Sequence, residues 1–308
     1  MADLPLTAVG ASFRRPATTA ERVDGPRRIT LLAAASVILL VLLLLVFIGF
    51  NGTQIFLGGV YGIGDLLTGT WAPSSTPAQF GLLPFIIGTL GLMLVAAVIA
   101  APLSVGLAIF MAEVAPPWAR NVTRPAMEVF VGIPSVVWGF LGLNLLVPFL
   151  RGLHVGFTVG FSWFAGSLIL ALMILPTITS VAYDAFITIP GEMRSASLAL
   201  GTTRWQTIRH ILIPAARASL LTAVVLGMMR AAGEALAVQM VIGNRPIIPT
   251  ALTQPIGALT AQITLDMGNT VTGEPWNQVL WTMGLILLLI SFLFVAIVRR
   301  LGREASPT

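Results

Sequence analysis

From Ile29 to Phe50 the chain reads ITLLAAASVILLVLLLLVFIGF, and from Gly81 to Ala112 it runs 32 residues, both without a charge. An α-helix rises about 1.5 Å per residue, so either run can cross the roughly 30 Å of a bilayer's hydrocarbon core. In lipid a backbone must satisfy its own hydrogen bonds, and a helix does so within one segment. The composition agrees: 56% hydrophobic residues, 9% charged residues and a mean hydropathy of +0.94 leave too little polar surface for a water-soluble domain. These features predict an all-α integral membrane protein.

The remaining organisation follows from charge and proline. Residues 1–28 form a polar tail, 29–50 an uncleaved first transmembrane helix, and 51–80 a Gly/Thr/Ser/Pro-rich external loop. Residues 81–300 form the core. Pro102 is expected to divide the second apolar run into a span over 83–101 and a shorter helix reaching Glu113. PPWARNVTRP (116–125) reads as a connector. Further spans are predicted over 126–149, 161–183, 218–242 and 278–298, with 301–308 as a second tail. LTQPIGALTAQITL (252–265) reads as a short helix on the membrane surface.

The basic residues orient these six spans. All 17 are Arg; with the N-terminus inside, fourteen fall in cytoplasmic segments, only Arg151 and Arg245 outside, and Arg230 within a span. That asymmetry obeys the positive-inside rule, places both termini in the cytoplasm of a bacterial cell membrane, and explains the basic charge without nucleic acid. Having no Cys excludes disulfides and thiolate metal sites. Having no Lys excludes a Walker A loop, so ATP used by such a system, with its Mg, must be hydrolysed on another chain. His154 and His210 fall on opposite sides of the membrane and cannot share a metal. GIGD (62–65) and YD (183–184) resemble intramembrane aspartyl-protease motifs, but both carboxylates fall outside the spans and in reversed order.

Two stretches carry the functional information. SASLALGTTRWQTIRHILIPAA (195–216) places small residues before Gly201 and an amphipathic piece after it. It can form a knob for a partner's groove, or an ordinary amphipathic loop on the membrane surface. LGMMRAAGEALAVQMVIG (226–243) places Arg230 and Glu234 near the middle of a span, where a charged side chain costs about 2.5–3.5 kcal/mol on insertion scales. At i and i+4 they can pair on one helix face, as a structural ion pair or as part of an anion path. A guanidinium offers paired planar donors and does not deprotonate, which suits an oxyanion. Thr177, Thr179 and Ser180 after Pro176, and Ser135 after Pro134, are weaker path candidates, because hydroxyls beside proline often satisfy freed carbonyls.

The 195–216 block resembles the EAA loop of type I ABC-importer permeases, whose short cytoplasmic coupling helix docks on an ATPase. Gly201, Ile211 and Pro214 match that pattern, Ile213 stands where Leu is usual, and Ser195-Ala196-Ser197 occupy the Glu-Ala-Ala positions. FGLLPFIIGTL (80–90), APLSVGLAIFMAEVAPPWAR (101–120), GIPSVVWGFLGL (132–143) and GMMRAAGEALAVQMVIGN (227–244) are similar to the phosphate-specific (PstC) branch of these permeases. The resemblance implies a six-helix permease fold and ATPase coupling through 190–214, with Ser195, Ala196, Ser197, Gly201, Thr202, Arg204 and Trp205 at the contact. Without the usual glutamate at 195, Glu192 stands one turn earlier in its place. The resemblance further implies that the chain is a non-catalytic transport subunit that binds no cofactor itself, with an oxyanion path through Arg230 and Glu234. The partners it implies are a PstA-like permease subunit, a PstB-like ATPase dimer, a PstS-like binding protein and inorganic phosphate. A permease for molybdate or sulfate, or an ion-coupled secondary carrier, is the alternative; no internal repeat supports the latter.

Overall fold

A computed structural model describes residues 24–59, 61–154 and 156–304. The chain divides into two units, one ending at Phe47 and the other running from Ile48. Helix α1 (Asp24–Leu57) contributes to both. In the first unit its side chains from Ile29 to Leu44 are all exposed, as expected of an apolar rod whose natural solvent is hydrocarbon. The expected tails, 1–28 and 301–308, lie largely outside the described residues.

The second unit continues through α2 (Ile63–Leu66) and a two-residue hairpin, β1 (Trp71–Ala72) with β2 (Gln79–Phe80), an exception to the all-α expectation confined to a loop. There follow α3 (Leu83–Ile109), α4 (Pro117–Gly132), α5 (Ser135–Leu141) and α6 (Val147–Gly152). Next come α7 (Trp163–Ile187), α8 (Gly191–Ala199), α9 (Arg204–Thr207) and α10 (Ile213–Ala232). The chain closes with α11 (Leu236–Val241), α12 (Leu259–Asp266) and α13 (Pro275–Glu304). Among the described residues six helical segments are long and apolar enough to cross a membrane: Ile29–Leu57, Leu83–Val114, Ser135–Gly152, Trp163–Ile187, Arg204–Ala232 and Pro275–Arg300.

Helices α3, α7 and α10 form the centre of the core. Small side chains permit this: Ala96 and Ala100 of α3, Ala165 and Ala171 of α7 and Ala223 of α10 are all buried in it. A Cβ on Gly227 of α10 would stand 2.6 Å from the Ile178 side chain of α7, so only glycine allows the observed approach.

Several sequence expectations are corrected. Pro102 does not divide α3, which runs unbroken to Ile109 and through a π turn to Val114. Lipid offers no water to backbone groups freed by a break, and Ser104, two residues on, is fully buried and donates to the Leu175 carbonyl of α7 at 3.0 Å. The 116–125 connector is helical: Pro117 sits at the first helical position of α4, where its missing N–H costs nothing. The third span begins at Ser135 rather than 126, because Ile133 is held extended by the proline that follows it. α1 extends to Leu57, so the loop expected from residue 51 starts only after it. Thr282 of α13 donates to the Gly52 carbonyl at 2.9 Å, fastening that last stretch of α1.

The fifth span ends at Ala232, not 242, and Gly233–Ala235 separate α10 from α11. The helix expected on the membrane surface exists as α12, but it is packed inward. Leu259, Ala261 and Gln262 are buried. A Cβ on Gly88 of α3 would run into the Gly257 carbonyl just before α12, and Leu259 N–H donates to Thr89 Oγ1 at 2.9 Å. The chain therefore dips into the bundle at 257–260 and returns along α12.

Candidate functional site: a mid-span guanidinium and a clamped helical knob

Arg230 lies in the last turn of α10, and its Nη1 donates to Thr177 Oγ1 at 2.8 Å. Thr177 stands fourteen residues after Trp163 and ten before Ile187 on α7, so the guanidinium meets that helix close to mid-depth. Arg230 and Thr177 are half-buried. Among the described residues Arg230 forms no ion pair, and Nε and Nη2 keep their donors.

The pairing expected between Arg230 and Glu234 is absent. An i,i+4 contact needs a continuous helix, and the helix stops between them. Gly233, with about 1 kcal/mol lower helix propensity than Ala, is the weak point. Glu234 instead sits at the break, where its Oε1 accepts from Ala237 N–H at 3.4 Å and its carbonyl accepts from Thr260 Oγ1 at 2.8 Å. Thr260, on the first turn of α12, thus satisfies a backbone group that the break would leave open. Nothing in the local sequence marks Thr260 as Glu234's neighbour, 26 residues away.

The weaker candidates separate. Thr177 is the anchor of Arg230. Thr179 is fully buried and donates to the Leu175 carbonyl at 2.8 Å, so it serves the packing beside Pro176 instead of lining a path. Ser135 opens α5, half-buried, and no hydrogen bond joins it to Arg230 among the described residues.

The 190–214 block forms the expected knob. α8 ends in a left-handed Gly201 (φ +80°), whose N–H donates to the Leu198 carbonyl. Thr203 caps α9 reciprocally with Gln206. Ser197 is buried, and its hydroxyl stands 2.7 Å from Thr202 Oγ1 and 3.0 Å from Thr207 Oγ1, so three hydroxyls tie α8 to α9. Ser195, Ala196, Arg204 and Trp205 face outward, beside Leu200 at 86% exposure. Ser195 Oγ turns back to the Glu192 carbonyl at 3.0 Å.

One pair has no signature in the sequence because its members are 81 residues apart. Arg194 of α8 donates from Nη2 to Glu113 Oε1 at 2.8 Å and from Nε to the same oxygen at 3.1 Å. It also donates to the Ile189 and Phe186 carbonyls, each at 2.7 Å. From Leu83 to Val114 the α3 segment spans 32 residues, about 48 Å as a helix, longer than the roughly 30 Å of a hydrocarbon core, and Glu113 near its end meets α8.

Known proteins share this architecture. Residues 104–306 match the family described as binding-protein-dependent transport system inner membrane component. A probable ABC transporter permease protein of Bacillus subtilis, YqgH, is 50% identical over 258 residues, covering 83% of each chain. The phosphate transport system permease protein PstC of Mesorhizobium japonicum is 34% identical over 310 residues, covering 92% of this chain and 94% of that one. A solved chain of the MetNI methionine ABC transporter in an inward-facing conformation superposes with a TM-score of 0.57 at 21% identity, over 73% of this chain and 96% of that chain. That likeness places the fold among ABC-importer permeases. The chain belongs to the family of binding-protein-dependent transport system inner membrane components.

Proposed function

We propose that this chain is a permease subunit of an ATP-driven importer of inorganic phosphate, with Arg230 as the contact that receives the anion within the membrane. As an inner membrane component of a binding-protein-dependent system, it works with a separate ATPase and an external binding protein. The finer assignment is a PstA-like second permease subunit, a PstB-like ATPase dimer and a PstS-like binding protein, with ATP and Mg held by the ATPase. Relatives named as phosphate permeases support the substrate.

The observation that carries the reading is the half-buried guanidinium near mid-depth of α7, one nitrogen held by Thr177 and the others unspent. A mid-span cation is costly unless it faces a wet path or a partner, and a guanidinium presents two parallel donors to a tetrahedral oxyanion. Glu234 has one carboxylate oxygen, Oε1, turned to the α11 backbone. The other would accept the proton that phosphate keeps near neutral pH, a bond that sulfate cannot offer. ATP closure of the ATPase dimer would move the knob, with both termini on its side of the membrane. The hydroxyl triad keeps α8 and α9 together, and Arg194 ties them to the ends of α3 and α7, so this displacement would reach the spans. The family match does not favour the ion-coupled carrier.

The test is ATP hydrolysis by the assembled complex with its binding protein, challenged with phosphate, sulfate and molybdate in turn. Stimulation by phosphate alone is expected. Equal stimulation by sulfate or molybdate would refute the substrate assignment.

A further inference from the structure

Below Arg230 a second cation waits on a cleft. α4 and α7 border an open cleft of about 250 Å³ lined by Arg124, Met127, Glu128, Val131, Pro176 and Ser180. A water occupies about 30 Å³ in the liquid, so a hydrated tetrahedral oxyanion fits. Ser180 and Thr177 stand three residues apart and share one face of α7, about 4.5 Å apart along its axis. The cleft therefore begins one turn from the residue that holds Arg230, in the direction of Ile187 and the knob.

We infer that this cleft is the exit site of the translocated oxyanion, with Arg124 receiving it from Arg230 and Ser180 marking its wall on α7. The inference rests on the reading of Arg230 as the anion contact. Arg124 is suited to the task because it is weakly engaged. Its Nε lies 3.8 Å from Glu128 Oε1, outside hydrogen-bonding distance, and the two side chains are 71% and 72% exposed. Such a pair contributes little and yields readily to a competing anion. Arg194, by contrast, is spent on Glu113 and two carbonyls and cannot serve. A chain of guanidiniums, tight at Arg230 and loose at Arg124, would let an anion leave toward the ATPase side without becoming trapped.

A phosphate headgroup of an anionic lipid presents the same chemistry to Arg124, and the experiment separates the two sources. The chain contains no cysteine, so Ser180→Cys creates its one thiol. In the assembled transporter, labelling of this chain by a negatively charged thiosulfonate is followed by mass in phosphatidylcholine vesicles. Inorganic phosphate is expected to slow labelling about elevenfold at ten times the site's Kd, by simple occupancy. Arg124→Gln should remove that protection, and Arg124→Lys should restore part of it. Val131→Cys on the opposite wall serves if Ser180→Cys does not assemble. Labelling indifferent to phosphate overturns the inference, and so does protection that appears only when phosphatidylglycerol is added. If Arg230→Gln abolishes uptake while the cleft thiol ignores phosphate, only the exit site fails. Normal uptake in Arg230→Gln means that the anion-contact reading itself has failed.

Discussion

Arg194→Ala removes the clamp between the knob and the spans, and the size of the effect follows from what that side chain holds. Arg194 grips Glu113 through Nε and Nη2 and donates to the Ile189 and Phe186 carbonyls, with side-chain exposures of 25% for Arg194 and 15% for Glu113. Hydrogen bonds to charged groups contribute about 1.5–3 kcal/mol each, and breaking a buried pair costs about 3–5 kcal/mol. This pair is not fully buried and water can replace part of the interaction, so a net of about 2 kcal/mol for anchoring α8 is the reasoned figure. At about 1.4 kcal/mol per factor of ten, local opening of residues 191–199 should become roughly 30-fold more frequent. Amide hydrogen exchange of that peptide in the assembled complex reads this directly. Glu113→Gln keeps a neutral acceptor and should give a smaller increase, and adding it to Arg194→Ala should change little further. Unchanged exchange over 191–199 in Arg194→Ala would refute the clamp.

Other outcomes follow from the same structure. Gly201→Ala places a Cβ in a left-handed conformation (φ +80°) with no atom within 4 Å, so the loss is conformational alone, about 1–2 kcal/mol. It should appear as faster exchange at the α8–α9 turn in an otherwise intact protein. Leu200→Asp or Trp205→Ala alters the exposed face of the knob and should reduce co-purification of the ATPase while the permease still reaches the membrane. Gly88→Ala forces a methyl into the Gly257 carbonyl and should lower thermal stability by about 1–3 kcal/mol or more, read as lost yield of folded protein in detergent. Thr177→Val leaves Arg230 Nη1 without its partner. It should reduce phosphate uptake without loss of assembly, and normal uptake would show that the anchor is dispensable.

How much of the molecule is legible in its sequence depends on the range of the interaction. Apolar runs announce six spans because membrane solvation acts residue by residue, and the small-residue block around Gly201 announces a knob because its caps are local. Errors come where tertiary packing overrules local rules. Pro102 reads as a breaker, yet α7 supports α3 past it. The prolines of PPWARNVTRP read as a connector, yet Pro117 starts α4 and Pro125 lies within it. Arg230 and Glu234 read as partners on one helix, but the break at Gly233–Ala235 turns Glu234 to the α11 backbone and leaves Arg230 to Thr177. Glu113 with Arg194 and Thr260 with Glu234 join residues far apart in the chain, and no spacing rule points from one to the other.

On the proposed function, transport by this chain turns on Arg230 meeting the anion. The most direct test is uptake of labelled phosphate by proteoliposomes holding the assembled transporter with Arg230→Gln, compared with Arg230→Lys and the unaltered protein. Gln is expected to abolish uptake in a complex that still assembles, and Lys, a single point charge in place of a planar fork, to restore a fraction. Uptake at the unaltered rate with Gln at 230 would contradict the role assigned to the guanidinium.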